Sequence, residues 1–132
     1  MESLSTDLRC LLLLALWSLV LNYLVALGRI PQGGTKWAAG NRETTPKGPP
    51  WIGRADRAKS NHQENLPMIA IVILIAHVTG RADAVTARCC VVLLLARVAH
   101  AVVYCLGFCA ARTAAFMTSL AALLIIAARI VL

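Results

Sequence analysis

At 132 residues the chain has room for one domain, and it is 59% hydrophobic and only 14% charged, with a mean hydropathy of +0.72. That much apolar surface on so short a chain excludes a water-soluble globule and points to helices that span a membrane. The formal net charge of +7 invites a nucleic-acid reading. However, the basic residues gather in one segment without interleaved aromatics, so nucleic acid is set aside and the basic segment reads as a topology signal.

The extreme N-terminus is slightly acidic, with Glu2, Asp7 and Arg9. Cys10–Leu27 is the first predicted span. It lacks a basic leader and a clean small-x-small cleavage site, so it reads as a retained helix rather than a signal peptide. Ser18, Asn22 and Arg29 fall on one face of it, the first two as interhelical hydrogen-bonding groups and Arg29 as a flanking charge. Arg29–Pro50 is expected to be a loop, because Pro31, Gly33-Gly34, Gly40, Pro46 and Gly48-Pro49-Pro50 interrupt regular structure. From Arg29 to Lys59 the cations Arg29, Lys36, Arg42, Lys47, Arg54, Arg57 and Lys59 face only Glu43 and Asp56. By the positive-inside rule this long first loop is cytoplasmic and both termini lie on the opposite side.

The second helix is expected from near Trp51 through Thr79, with a kink at Pro67, which cannot donate to Gln63. His77 lies near its far end as an interfacial or packing residue. Gly80–Asp83 is a turn, Ala84–Leu106 the third span, Gly107–Ala111 a turn and Arg112–Leu132 the fourth span. Thr118 and Ser119 are expected to bond back to carbonyls of their own helix. The five cysteines, Cys10, Cys89, Cys90, Cys105 and Cys109, stand at no metal-ligand spacing and read as small hydrophobes in membrane helices. The expected fold is therefore an all-α membrane protein of four transmembrane helices in an up-down bundle, one domain over residues 1–132.

Two polar faces break the apolar pattern. Arg57, Asn61 and Glu64 are spaced i, i+4 and i+7 and fall within about 60° of one another on a helix. Arg97, His100 and Tyr104 share a face of the third helix, and a mid-span arginine costs ~2.5–3.5 kcal/mol on insertion scales. A plain structural role would give Arg97 a carboxylate such as Glu64 and leave Tyr104 in an aromatic belt. Topology adds a constraint: Arg29, Arg57, Arg97 and Arg112, with Thr113, all collect at the cytoplasmic end around a single Glu64. The missing partner should be anionic and rich in carboxylates or phosphates, which suit the planar fork of arginine.

The run Arg57-Ala58-Lys59-Ser60-Asn61-His62-Gln63-Glu64-Asn65-Leu66-Pro67 resembles the Arg-Ala-His-x-Asn-x-x-Glu-Asn…Pro signature of the MAPEG proteins, the membrane-associated proteins of eicosanoid and glutathione metabolism. Arg97-Val98-Ala99-His100, Tyr104 and Arg112-Thr113 resemble that family's third-to-fourth helix motif. The resemblance covers essentially the whole chain and is greatest to small bacterial members, which implies a multi-pass protein of the bacterial inner membrane. It further implies a homotrimer that holds glutathione, as co-substrate, between neighbouring subunits at the cytoplasmic side. By similarity Arg57, Asn61, Glu64, Arg97, His100 and Tyr104 match glutathione-binding or site-supporting positions, and Arg112 and Thr113 match catalytic ones. Three departures stand out: Lys59 replaces a histidine, Arg29 matches the first-helix arginine only loosely, and the Gly107–Ala111 turn is short.

The function this implies is a glutathione-dependent membrane transferase or peroxidase. Glu64 would take the ammonium of glutathione, Arg57 and Arg97 its carboxylates, and Arg112 with Thr113 its thiolate, which attacks an apolar electrophile or lipid hydroperoxide arriving from the bilayer. The alternative is a non-catalytic protein of the same fold that binds membrane lipid or a protein partner, its arginines neutralised by head groups. A proton-coupled exporter would want a carboxylate deep in a span, and the sequence has none.

Overall fold

A computed structural model describes residues 4–132, and Glu2 of the acidic N-terminus lies outside that range. The described chain forms four helices, α1 (Thr6–Ala39), α2 (Pro50–Val78), α3 (Ala84–Leu106) and α4 (Cys109–Val131), in an up-down bundle. Three of them, α1, α3 and α4, are long and apolar enough to cross a membrane. The first half of α2 is too polar to meet that measure alone, and its apolar part begins only beyond Pro67. Helix α3 packs on α1, α2 and α4, whereas α1 and α4 are not neighbours.

The expected loop from Arg29 is corrected. Helix α1 runs on to Ala39, and the irregular connection is only Gly40–Pro49. Pro31 is accommodated because its fixed φ is helical and it forfeits only one backbone bond. The break falls instead at Gly34, whose φ of 77° and ψ of 168° leave the helical region. The connection folds back on α1, with Trp37 Nε1 donating to the Thr44 carbonyl at 2.7 Å and the Arg42 guanidinium donating to the Ala38 carbonyl. Helix α2 continues through Pro67 without interruption, and Thr118 and Ser119 donate back to the Ala114 and Phe116 carbonyls.

Packing is unequal along the bundle. Towards the chain termini, Cys10, Leu14, Ile69, Ile73, Ala76, Cys90, Leu93, Ala122, Leu123 and Ile126 close into one buried cluster drawn from all four helices. Towards the Gly40–Pro49 connection the apolar core shrinks to Leu21, Ala58 and Ala101, flanked by Trp17 and Tyr104. Large apolar side chains such as Leu12, Leu16, Leu19, Ile71, Leu95 and Leu124 are exposed on the single chain, as a protein solvated by lipid allows.

The end bearing the chain termini is also cross-tied by polar pairs. His77 Nδ1 donates to the buried Asp7 carboxylate at 2.9 Å, joining the last turn of α2 to the first of α1. Asp83 caps α3 in a capping box with Thr86 and pairs with Arg129 near the end of α4. His77 is thus a hydrogen-bond partner of Asp7 rather than a bare interfacial residue.

Candidate functional site

The shrunken core leaves room at the other end for the polar faces of α2 and α3. The α3–α4 turn is tight, because Gly107 takes the left-handed conformation (φ 92°) and closes α3 with bonds to Val103 and Tyr104. Helix α4 therefore restarts at Cys109, earlier than expected, and Arg112 is carried back over the end of α3. Its guanidinium carbon lies 4.7 Å from the centre of the Tyr104 ring. Arg57 approaches the same ring from α2 at 6.0 Å. His100 meets the edge of Tyr104 with ring centres 5.6 Å apart, and the Phe116 ring of α4 lies 6.2 Å from the same histidine.

Around this tyrosine is a cavity of about 150 Å³ lined by Arg54, Arg57, Tyr104, Gly107, Phe108, Cys109 and Arg112. Among the described residues, three guanidiniums line it and no carboxylate does. Arg54 belongs to the basic segment and stands three residues before Arg57, so it shares its face. Its Nε donates to the Cys105 carbonyl at 2.8 Å, which satisfies the end of α3 and fixes the guanidinium at the cavity wall.

The remaining predicted residues Asn61, Glu64, Arg97 and Thr113 lie outside the cavity lining. Asn61 and Arg97 lie against one another behind the cavity. Arg97 is 1% exposed, its two terminal nitrogens donating to the Asn61 side-chain oxygen at 3.1 Å and main-chain carbonyl at 3.0 Å. The expected Glu64 partner for Arg97 is thereby corrected: Glu64 is exposed, and a neutral amide takes its place. Thr113 lies outside the cavity lining, its hydroxyl donating to the Cys109 carbonyl one turn back at 3.1 Å. Its proton is committed to its own helix, so serving a thiolate would require giving up that bond.

Two further groups flank the site. Arg29 is more than a flanking charge, because it pairs with Asp56 at 2.6 Å while Lys59 holds the other oxygen of that carboxylate at 2.7 Å. Asp56 thus pairs with Arg29 and Lys59, while the cations facing the Tyr104 cavity have no acid partner among the described residues. His62 is buried and its Nε2 donates to the Leu14 carbonyl at 3.1 Å, tying α2 to α1 at the level of Asn61. The interhelical role expected of Asn22 is found, since its side-chain oxygen accepts from Gln63 Nε2 at 3.0 Å.

The arrangement can hold an anionic group against Arg54, Arg57 and Arg112, with an aromatic hydroxyl beside it. No curated protein matches the chain. The sequence model of the MAPEG family matches residues 8–132, and the chain belongs to that family of integral membrane proteins.

Proposed function

We propose that this MAPEG protein is a glutathione-dependent transferase or peroxidase acting on apolar electrophiles or lipid hydroperoxides. The observation that carries the reading is the cavity around Tyr104, lined by three guanidiniums and, among the described residues, by no carboxylate. Three cations brought together at this depth repel one another and lose solvation, so an anion that enters is stabilised by all of them. At about 150 Å³ the cavity suits one anionic group rather than a tripeptide. The thiolate sits there beside Arg112, while the rest of glutathione lies along the exposed face of α2 that carries Arg57 and Glu64. Glu64, free of any ion pair among the described residues, is the partner for the ammonium.

Free thiols titrate near ~8.5, so most glutathione is protonated at neutral pH. A guanidinium beside the sulfur favours the thiolate. In transfer, the thiolate forms a carbon–sulfur bond and expels the leaving group as an anion. In peroxide reduction it attacks the distal oxygen, the O–O bond breaks and an alkoxide leaves and takes up a proton; the glutathione sulfur is oxidised to the sulfenic acid, which a second glutathione thiol converts to the disulfide and water. The basic end of the bundle is placed at the cytoplasmic face, where glutathione is available, and the protein acts as a homotrimer whose neighbouring subunit closes the site. The apolar substrate approaches through the bilayer.

A groove of about 350 Å³ between α1 and α3, lined by Leu13, Leu16, Trp17, Val20, Leu94, Leu95 and Val98, supports a second reading, a carrier of apolar chains without thiol chemistry. The test is thiolate absorbance on adding glutathione to the detergent-solubilised protein across pH. A thiolate formed below the free pKa, and lost in Arg112→Ala, supports the enzyme. Lipid retained through purification with no thiolate at millimolar glutathione supports the carrier.

A further inference from the structure

We infer that Arg97 is a positioning residue that acts on glutathione through Asn61 rather than a residue that touches it; this rests on the glutathione reading above. At 1% exposure the Arg97 guanidinium is closed off from any ligand in the cavity. Both of its hydrogen bonds go to a single residue, to the Asn61 side-chain oxygen at 3.1 Å and to its main-chain oxygen at 3.0 Å. Asn65 Nδ2 donates to that same main-chain oxygen at 2.8 Å. Arg97 has no carboxylate partner among the described residues, and its Nε is buried without any partner.

A buried guanidinium held only by a neutral amide is a poor device for stability, because the cost of removing it from water is not offset by an opposite charge. What the contact does achieve is orientation. Asparagine has one acceptor and two donors, and the two ends of its amide are otherwise interchangeable. A cation on Oδ1 allows one orientation only, with the NH2 group turned away from Arg97. The polarised amide then presents two strengthened donors, and the second grip on the main chain fixes the turn of α2 that carries them. Half-buried Asn61 shares the α2 face of Arg57 and Glu64, so the donors serve a carboxylate of the ligand lying along that face.

The test is a double-mutant cycle on full-length protein in detergent, reading glutathione affinity by calorimetry and stability by thermal unfolding. Asn61→Ala should weaken binding roughly ten- to a hundredfold, the loss of a hydrogen bond to a charged group. Arg97→Met should weaken it by a similar factor, and the double variant no further than Asn61→Ala alone. Arg97→Met should also unfold at the same temperature or higher, since an apolar side chain of similar length replaces an uncompensated charge. Affinity losses that multiply in the double variant would show direct contact and overturn the inference. So would an Arg97→Met protein that unfolds early but binds normally when folded. If Arg97→Met fails to fold, Arg97→Lys keeps the charge but cannot grip both oxygens and should still lose affinity; full affinity in that variant would overturn it as well. Wild-type protein that binds no glutathione fails the parent reading and takes this one with it, whereas binding with multiplicative losses fails this one alone.

Discussion

The two ends of the bundle handle charge in opposite ways. At the end bearing the termini, the acids Asp7 and Asp83 each hold a side chain from another helix, the His77 imidazole and the Arg129 guanidinium, over a core drawn from all four helices. At the other end one acid, Asp56, absorbs Arg29 and Lys59, while Arg54, Arg57, Arg97 and Arg112 have no carboxylate partner among the described residues. There the apolar core is reduced to a few residues around Tyr104. The same residue types thus serve as ties at one end and as unspent cations at the other. Charges that only hold helices together tend to be paired within the chain; an unpaired group of arginines beside a cavity implies an anion from outside.

The contrast would break most visibly at Arg112. Its replacement by Ala should cost roughly a hundredfold in thiolate-dependent turnover of a chloro-nitroaromatic probe, by analogy with removal of one preorganised donor to a reacting anion. The pKa of the bound thiol should rise towards that of free glutathione while affinity changes less. Equal loss of affinity and turnover would make Arg112 a mere binding charge. Arg54 comes next: Arg54→Ala should weaken glutathione binding about three- to tenfold and flatten its dependence on salt, with a modest drop in unfolding temperature because the Cys105 carbonyl loses its donor. An unchanged salt dependence would remove Arg54 from the site.

How much of this was legible in the sequence depends on whether a feature is local to one helix. The bounds of α3 were readable because the apolar run, the Asp83 cap and the Gly107 stop agree. The end of α1 was not, because Pro31 and Gly33 are strong breakers in isolation while only Gly34 leaves the helix in the fold. Spacing placed Arg57, Asn61 and Glu64 on one face and Arg97, His100 and Tyr104 on another. It could not say which residue of α2 lies level with Arg97, so Glu64 was the expected partner where Asn61 is the one present. A charge preference cannot fix helix register, which depends on how the helices pack, and α2 and α3 share a buried cluster at Ala58 and Ala101. Arg54 was within reach of the same spacing rule but was masked by the number of cations around it.

At the paired end, effects should fall on stability and leave glutathione binding alone. His77→Ala strands the Asp7 carboxylate, which is 5% exposed, and should lower stability by roughly 1–3 kcal/mol. The lower part of that range is expected, because His77 itself is partly open to its surroundings. Asp7→Asn keeps a polar acceptor facing the histidine and should cost less. Weaker glutathione binding in either variant, at a temperature where it is folded, would show that the two ends are coupled.

The smallest effect, and the one that separates a cap from an ion pair, is expected at Asp83. Backbone N–H groups of Thr86 and Val85, together with Arg129, hold its carboxyl down to about 2. A carboxyl held below its ordinary value near ~3.9 stabilises the fold fully above that pH and loses its contribution as pH falls through the lowered value. The unfolding temperature should therefore carry a component from Asp83 that is flat from neutral pH to about 4 and declines below it. Asparagine is an equally good N-cap, so Asp83→Asn should abolish the pH-dependent component while retaining most of the cap. Asp83→Ala should lose both and unfold earlier at every pH. The exposed pair with Arg129 is screened and contributes little, so Arg129→Ala should move the unfolding temperature less than Asp83→Ala does. If Arg129→Ala proved the more damaging of the two, the end of α4 would be held chiefly by charge rather than by the Ile126 and Leu123 packing beneath it, and the contrast between a packed end and a charged end would have to be redrawn.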